Sequence, residues 1–143
     1  MSRLDPQIQS TYEHHAYFLN NAYWMGIQAG IQAGHAYQKC LLKNLDCPVM
    51  LAHADRYEVW KILNAGEQPG IKRVGNQLLE LAEAFEITIP NGKFHESEDA
   101  ANGTLTSWCF ILPYVREPSD KVGKRLFKFC EQAFEILPKN PAR

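Results

Sequence analysis

The stretch AYFLNNAYWMGIQAGIQAGHAY, residues 16–37, decides the fold. By hydrophobic spacing, residues 9–43 allow one long helix, with Tyr12, Leu19, Tyr23, Ile27 and Ile31 roughly on one face. They also allow a strand at 16–19, a turn at Asn20 and Asn21, and a helix opening near Met25. Two adjacent asparagines compete for the backbone with their short side chains, forming helices poorly and turns well, which favours the second reading. Gly26, Gly30 and Gly34 lie four apart, so in a helix they make a nearly bare stripe. Each costs roughly 1 kcal/mol relative to alanine, and the stripe predicts a close approach by a helix, a sheet or a ligand.

Further along, the chain reads as alternating elements. VMLAHA (49–54), entered by Pro48, is a short apolar run that predicts a strand, and Asp55 with Glu58 forms a capping box for a helix that stops at Gly66. Ile71, Val74, Leu78, Leu81 and Phe85 recur at steps of three and four, predicting an amphipathic helix over 71–86. ITIP (87–90) predicts a short strand, NG at 91–92 a turn, and KFHESEDAANG a polar loop. TLTSWCFILPY (104–114) is β-branched, aromatic and nearly continuous, the pattern of a strand buried on both faces. Ser119 then caps a last helix carrying Val122, Leu126, Phe129 or Cys130, Ala133 and Leu137. Residues 1–8 and 138–143 read as frayed ends.

This order predicts a single α/β domain, a mixed sheet of four to five strands with helices on both faces. Ligands gather at the carboxyl ends of strands in such sheets, where Asn20 and Asn21 would lie.

Composition narrows the function. The 143 residues are 45% hydrophobic and 22% charged, ordinary for a globular domain of one core. No apolar run reaches the ~20 residues of a membrane span, and MSRLDPQIQ has no leader character, so no membrane role and a cytoplasmic location are expected. A net charge of −1 gives no long-range pull on phosphates. Local basic groups are Lys72 with Arg73, and Lys121, Lys124, Arg125 and Lys128, which also suit solvated helix faces. Cys40, Cys47, Cys109 and Cys130 form no CxxC pair and read as small buried hydrophobes. The five histidines show no metal-ligand spacing, and neither metal nor cofactor is expected.

QAGHA at 32–36 resembles the GKxAAQxxHA signature that opens the first helix of the type 2 peptidyl-tRNA hydrolases, where it follows a strand and a short polar loop. Gln32, His35 and Ala36 agree, while Gln28 stands where that family has its lysine and Ile27 where it has the preceding glycine. GTLT at 103–106 is similar to the family's GxxT at its late central strand, aligning Gly103 and Thr106. Residues 119–129 resemble its closing segment, which makes 126–129 an alternative strand. The family's DAG aspartate falls on Phe94, and the nearest substitutes are Asn91 and Asp99.

The resemblance implies hydrolysis of the ester between a peptide and the 3′ end of a tRNA, or of a related acyl ester. His35 would orient or deprotonate the water, with Thr106 and Asn91 as further catalytic groups and Asn20, Asn21, Gln28, Gln32 and Gly103 contacting substrate. Each also has a plainer reading: His35 as a boundary residue, Thr106 as a strand former, the glycines as a packing device and the asparagines as turn formers. With the lysine and aspartate replaced, the alternative is a catalytically silent binding or regulatory module using the old site as a pocket. The partners left open are tRNA, an acyl ester and a second copy of the chain.

Overall fold

A computed structural model describes residues 2–56, 59–97 and 103–143. In chain order these form α1 (Pro6–Gln9), β1 (His14–Asn20), α2 (Ile27–Lys43), α3 (Pro48–Arg56), β2 (Trp60–Asn64), α4 (Gln68–Phe85), β3 (Asn91–His95), β4 (Leu105–Pro113) and α5 (Lys121–Ile136). The four strands make one sheet in the order β2-β1-β4-β3, with β1 parallel to β2 and antiparallel to β4, and β3 antiparallel to β4. The fold is α/β with a mixed sheet.

The opening stretch is strand, turn and helix. Every residue of β1 and of β4 is buried, as expected of central strands covered on both sides. Along β1, Ala16 and Phe18 join a cluster with Ala33, Ala36 and Cys40 of α2 and Val49 and Met50 of α3. Tyr17 and Leu19 join another with Ile71, Val74 and Leu78 of α4 and Leu126 and Phe129 of α5. Successive strand residues point to opposite sides, so these two clusters lie on opposite sides of the sheet.

Several elements differ from expectation. VMLAHA lies in α3, not in a strand: Val49, Met50, Ala52 and His53 are buried, a helical spacing, and Pro48 opens the helix, where its missing N–H costs nothing. A short apolar run fits a buried strand or a buried helix equally well. The expected helix after Asp55 is replaced by β2, whose backbone fills the slot parallel to β1; Glu58 of the expected capping box lies outside the described residues. Residues 87–90 are not a strand. Gln9 holds them instead, donating from Nε2 to the Thr88 carbonyl at 2.6 Å and accepting from its N–H at 3.0 Å.

NG at 91–92 is not a turn but the start of β3. A Cβ on Gly92 would sit 2.3 Å from the backbone nitrogen of Cys40, so α2 crosses β3 almost backbone to backbone. Residues 126–129 are helical, and α5 is capped by Asp120, which accepts from the Gly123 N–H at 2.6 Å, rather than by Ser119.

Both expected frayed ends are tied down. Leu4 is buried with its N–H on the Glu86 carbonyl at 2.9 Å. Near the other end, Asn140 and Ala142 hydrogen-bond along the outer edge of β2, each at 2.9 Å.

The glycine stripe packs against nothing. Gly26 precedes α2 at a φ of 61°, and Gly30 and Gly34 would place a Cβ in open space. The face of α2 on the sheet is made instead by Ala29, Gln32, Ala33, Ala36 and Cys40. Glycine-to-alanine substitutions should therefore split in sign. Urea unfolding is expected to show Gly92→Ala destabilised by about 1–3 kcal/mol through overpacking. Gly34→Ala should be stabilised by up to about 1 kcal/mol through helix propensity. Equal destabilisation of both would contradict this packing.

Candidate functional site

The site grows from an irregularity in β4. Phe94 pairs with Ser107 and His95 with Leu105, so Thr106 is an extra residue. This bulge turns two successive hydroxyls toward α2. Thr106 Oγ1 donates to Gln32 Oε1 at 2.8 Å, and Ser107 Oγ donates to Asn20 Oδ1 at 2.7 Å. The first bond fixes the Gln32 amide so that its Nε2 meets Gln28 Oε1 and Glu96 Oε2, both at 3.5 Å. These two contacts are at the limit of hydrogen bonding, so the amide protons remain able to serve a closer acceptor.

Asn20 and Asn21 play different parts. Asn20 is buried, its Nδ2 donating to the Ala29 carbonyl at 2.9 Å while its oxygen accepts from Ser107 Oγ at 2.7 Å. It ties the end of β1 to the first turn of α2. Asn21 donates to the Leu105 carbonyl at 3.2 Å and accepts from the Tyr23 N–H at 3.0 Å, an Asx turn that shapes the β1–α2 loop.

Asn21 also lines a cleft of about 640 Å³, together with Tyr23 and Trp24 of the same loop. The far wall is Glu67 and Gln68 at the start of α4, with Glu96 and Thr104 between. This volume suits a small-molecule group. Gln68 braces the wall, its Oε1 accepting from the Leu105 N–H at 2.8 Å. The cleft opens at the carboxyl end of β1, where open α/β sheets keep their ligands.

His35 sits one turn beyond Gln32 on α2, exposed, its ring stacked on Phe94 with centroids 4.5 Å apart. Phe94 and Glu96 are two apart, so strand alternation sends both toward α2. Gln28 is exposed on α2, and Gly103, at a φ of 70°, makes the turn into β4.

Asn91 is not in this constellation. It begins β3, at the end remote from Glu96, where its side chain accepts from Trp108 Nε1 at 3.1 Å and donates to the Ile89 carbonyl at 3.3 Å. Its carbonyl also accepts from Asn44 Nδ2 at 3.2 Å. Asp99 lies outside the described residues. The carboxylate that does reach Gln32 is Glu96, two residues beyond Phe94. The alternation of Phe94 and Glu96 was the available signal. Gln68 left no comparable signal in the sequence.

Among the described residues, no group of three His, Cys, Asp or Glu side chains is placed to hold a metal ion. The four cysteines are free, three of them buried. His14, His15 and His53 lie away from the cleft. His53 contacts the Tyr37 hydroxyl at 2.8 Å, and His15 stacks on Tyr114 at 4.0 Å. Burial lowers the affinity of both imidazoles for a proton.

His14 is the most affected. Burial pushes it down from 6.5 to about 4. Its Nδ1 donates to the Tyr12 carbonyl at 2.8 Å and its Nε2 accepts from Gln9 at 3.1 Å, an arrangement that fits only the neutral ring. Between pH 6.5 and 4 the unfolded chain binds a proton that the folded chain refuses. Stability held above pH 6.5 should therefore fall as the pH drops toward 4, by about 3 kcal/mol from this ring alone. In chemical denaturation followed across this range, His14→Gln should lose less stability than the parent by that amount. An identical pH dependence in both would contradict the assignment.

No protein-family model matches the chain, and no curated protein matches it in sequence.

Proposed function

We propose that this protein is a divergent relative of the type 2 peptidyl-tRNA hydrolases that hydrolyses the ester of peptidyl-tRNA or a related acyl ester. One observation carries the reading. The two stretches that bear the resemblance, QAGHA and GTLT, meet in the 2.8 Å hydrogen bond from Thr106 to Gln32, 74 residues apart. The strand, short loop and helix order of the signature is also present, with β1, residues 21–26 and α2.

In this reading the acyl ester lies over the Gln32 amide. A water adds to the carbonyl carbon, its proton passing to a neighbouring base, and the bond to the ribose oxygen breaks as that oxygen takes a proton. The Gln32 Nε2 protons, weakly held in the free protein, turn to the developing oxyanion, an interaction strongest in the transition state. His35 and Glu96 are the two groups able to accept the water's proton. Glu96 supplies the carboxylate that the sequence lacks at Phe94, and Gln28 offers an amide where the family has a lysine.

The test is release of label from N-acetyl-aminoacyl-tRNA by the purified chain. Turnover is expected, lowered about 100-fold or more by removing the base, whether through Glu96→Gln or His35→Ala. The substitution that also removes the acid limb of the rate's pH profile identifies the base. No turnover, with retained tRNA in a gel shift, would favour the silent binding module. Neither turnover nor binding would overturn the relationship.

A further inference from the structure

We propose that a basic groove along α5 binds the phosphate backbone of RNA, on a surface apart from Gln32. The choice of RNA rests on the peptidyl-tRNA reading above, while the groove uses none of the residues assigned there. Four cations, Lys121, Lys124, Arg125 and Lys128, line a groove of about 620 Å³, and among the described residues no carboxylate lines it. Phe85 and Val122 also line it and pack on the core cluster of α4 and α5, so the groove lies on the side of the sheet away from α2.

The four positions follow the spacing i, i+3, i+4, i+7, so one face of α5 carries them all. Lys121 with Arg125, and Lys124 with Lys128, are like-charged neighbours four apart, and each pair destabilises the helix. The first turn of α5 contains Lys121 and Lys124 and no acidic side chain, although the positive end of a helix dipole disfavours cations there. Among the described residues, none of the four cations forms an ion pair. Asp120, the adjacent N-cap, is held by the Gly123 N–H at 2.6 Å and by the Tyr12 hydroxyl at 2.7 and 2.8 Å. Glu83 pairs with Arg3 at 2.8 Å. Arg125 donates from Nη1 to the Ser2 carbonyl at 3.0 Å, a bond that positions the guanidinium without neutralising it. The three lysines are exposed. A solvated helix face mixes its signs, whereas this one concentrates positive charge that folding does not use, in a chain of net charge −1.

The shape selects the kind of anion. From Lys121 to Lys128 the helix rises about 10 Å, which matches about three phosphate steps along one strand of a duplex. A bilayer would need apolar side chains projecting from the basic face, but Phe85 and Val122 turn inward onto the core. The groove offers cations and no exposed ring for stacking, so it suits backbone contacts without base readout.

The experiment titrates a fluorescein-labelled RNA hairpin with the purified chain, following anisotropy from about 50 to 200 mM KCl. The logarithm of affinity should fall with that of salt at a slope of about −3, as for three to four neutralised phosphates. Lys121→Glu with Lys124→Glu cancels the groove's charge and gives both i,i+4 pairs opposite signs. That variant should bind RNA at least about 10-fold more weakly and flatten the slope by about 2, while unfolding at a higher urea concentration than the parent. Lys72→Glu with Arg73→Glu makes the same change in net charge elsewhere and should bind within about 2-fold of the parent. RNA affinity unmoved by the α5 substitutions, an equal loss in the α4 variant, or an α5 variant that unfolds more easily overturns the proposal. Binding to phosphatidylserine vesicles with none to RNA overturns it as well. Ester turnover without RNA binding at this groove leaves the hydrolase reading standing alone, and groove-dependent binding without turnover leaves this one.

Discussion

The closeness of α2 to the sheet governs everything at the site. Ala29, Ala33, Ala36 and Cys40 give the helix a face with little side-chain depth, and at Gly92 there is no Cβ to hold it off. Backbone then lies almost on backbone. Only at that separation can a glutamine on the buried face reach a strand hydroxyl, and the Gln32–Thr106 bond is the result. Because the pair is buried, its hydrogen bond is not optional: either group left alone would carry a desolvation cost of about 1–3 kcal/mol.

The bulge at Thr106 complements this constraint. Without it, neighbouring residues of β4 would face opposite ways, and a single hydroxyl would meet α2. With it, Thr106 locks Gln32 and Ser107 locks Asn20, so the N-terminal half of α2 is pinned at two points to the sheet. The cleft-forming loop from 21 to 26 hangs from that pinned frame. Its exposed Tyr23 and Met25, and Ile27 just beyond it, are apolar groups the core does not use.

How much of this was legible depended on whether a local pattern had one physical solution. Asn20 and Asn21 punctuate a helix badly and a strand end well, so β1 and α2 could be read. The long buried run of β4 and the three- and four-residue rhythm of α4 were equally unambiguous. VMLAHA was not, because a six-residue apolar run buries as well in either conformation, and the choice was made by β2 filling the edge beside β1. Gly92 misled in the other direction, a turn dipeptide whose glycine serves close approach rather than a turn. At the site, Gln32 and Thr106 were visible through the resemblance. Glu96 was legible only through its alternation with Phe94, and Gln68 was hidden because its position depends on the docking of α4, which leaves no local signature. Counting residues led to Phe94, with Asn91 as a near substitute, and Asn91 sits at the end of β3 remote from Glu96.

Glu96 follows β3 and Gln32 lies in α2, so their meeting depends on tertiary structure alone. That makes the Gln32–Thr106 bond the most direct point of attack. A double-mutant cycle on ester turnover with Gln32→Leu, Thr106→Val and the pair measures whether they act as one unit. If the hydroxyl works by aiming the amide, either single change should cost about as much as both together. Losses that simply multiply, or a Thr106→Val variant with full turnover, would contradict it.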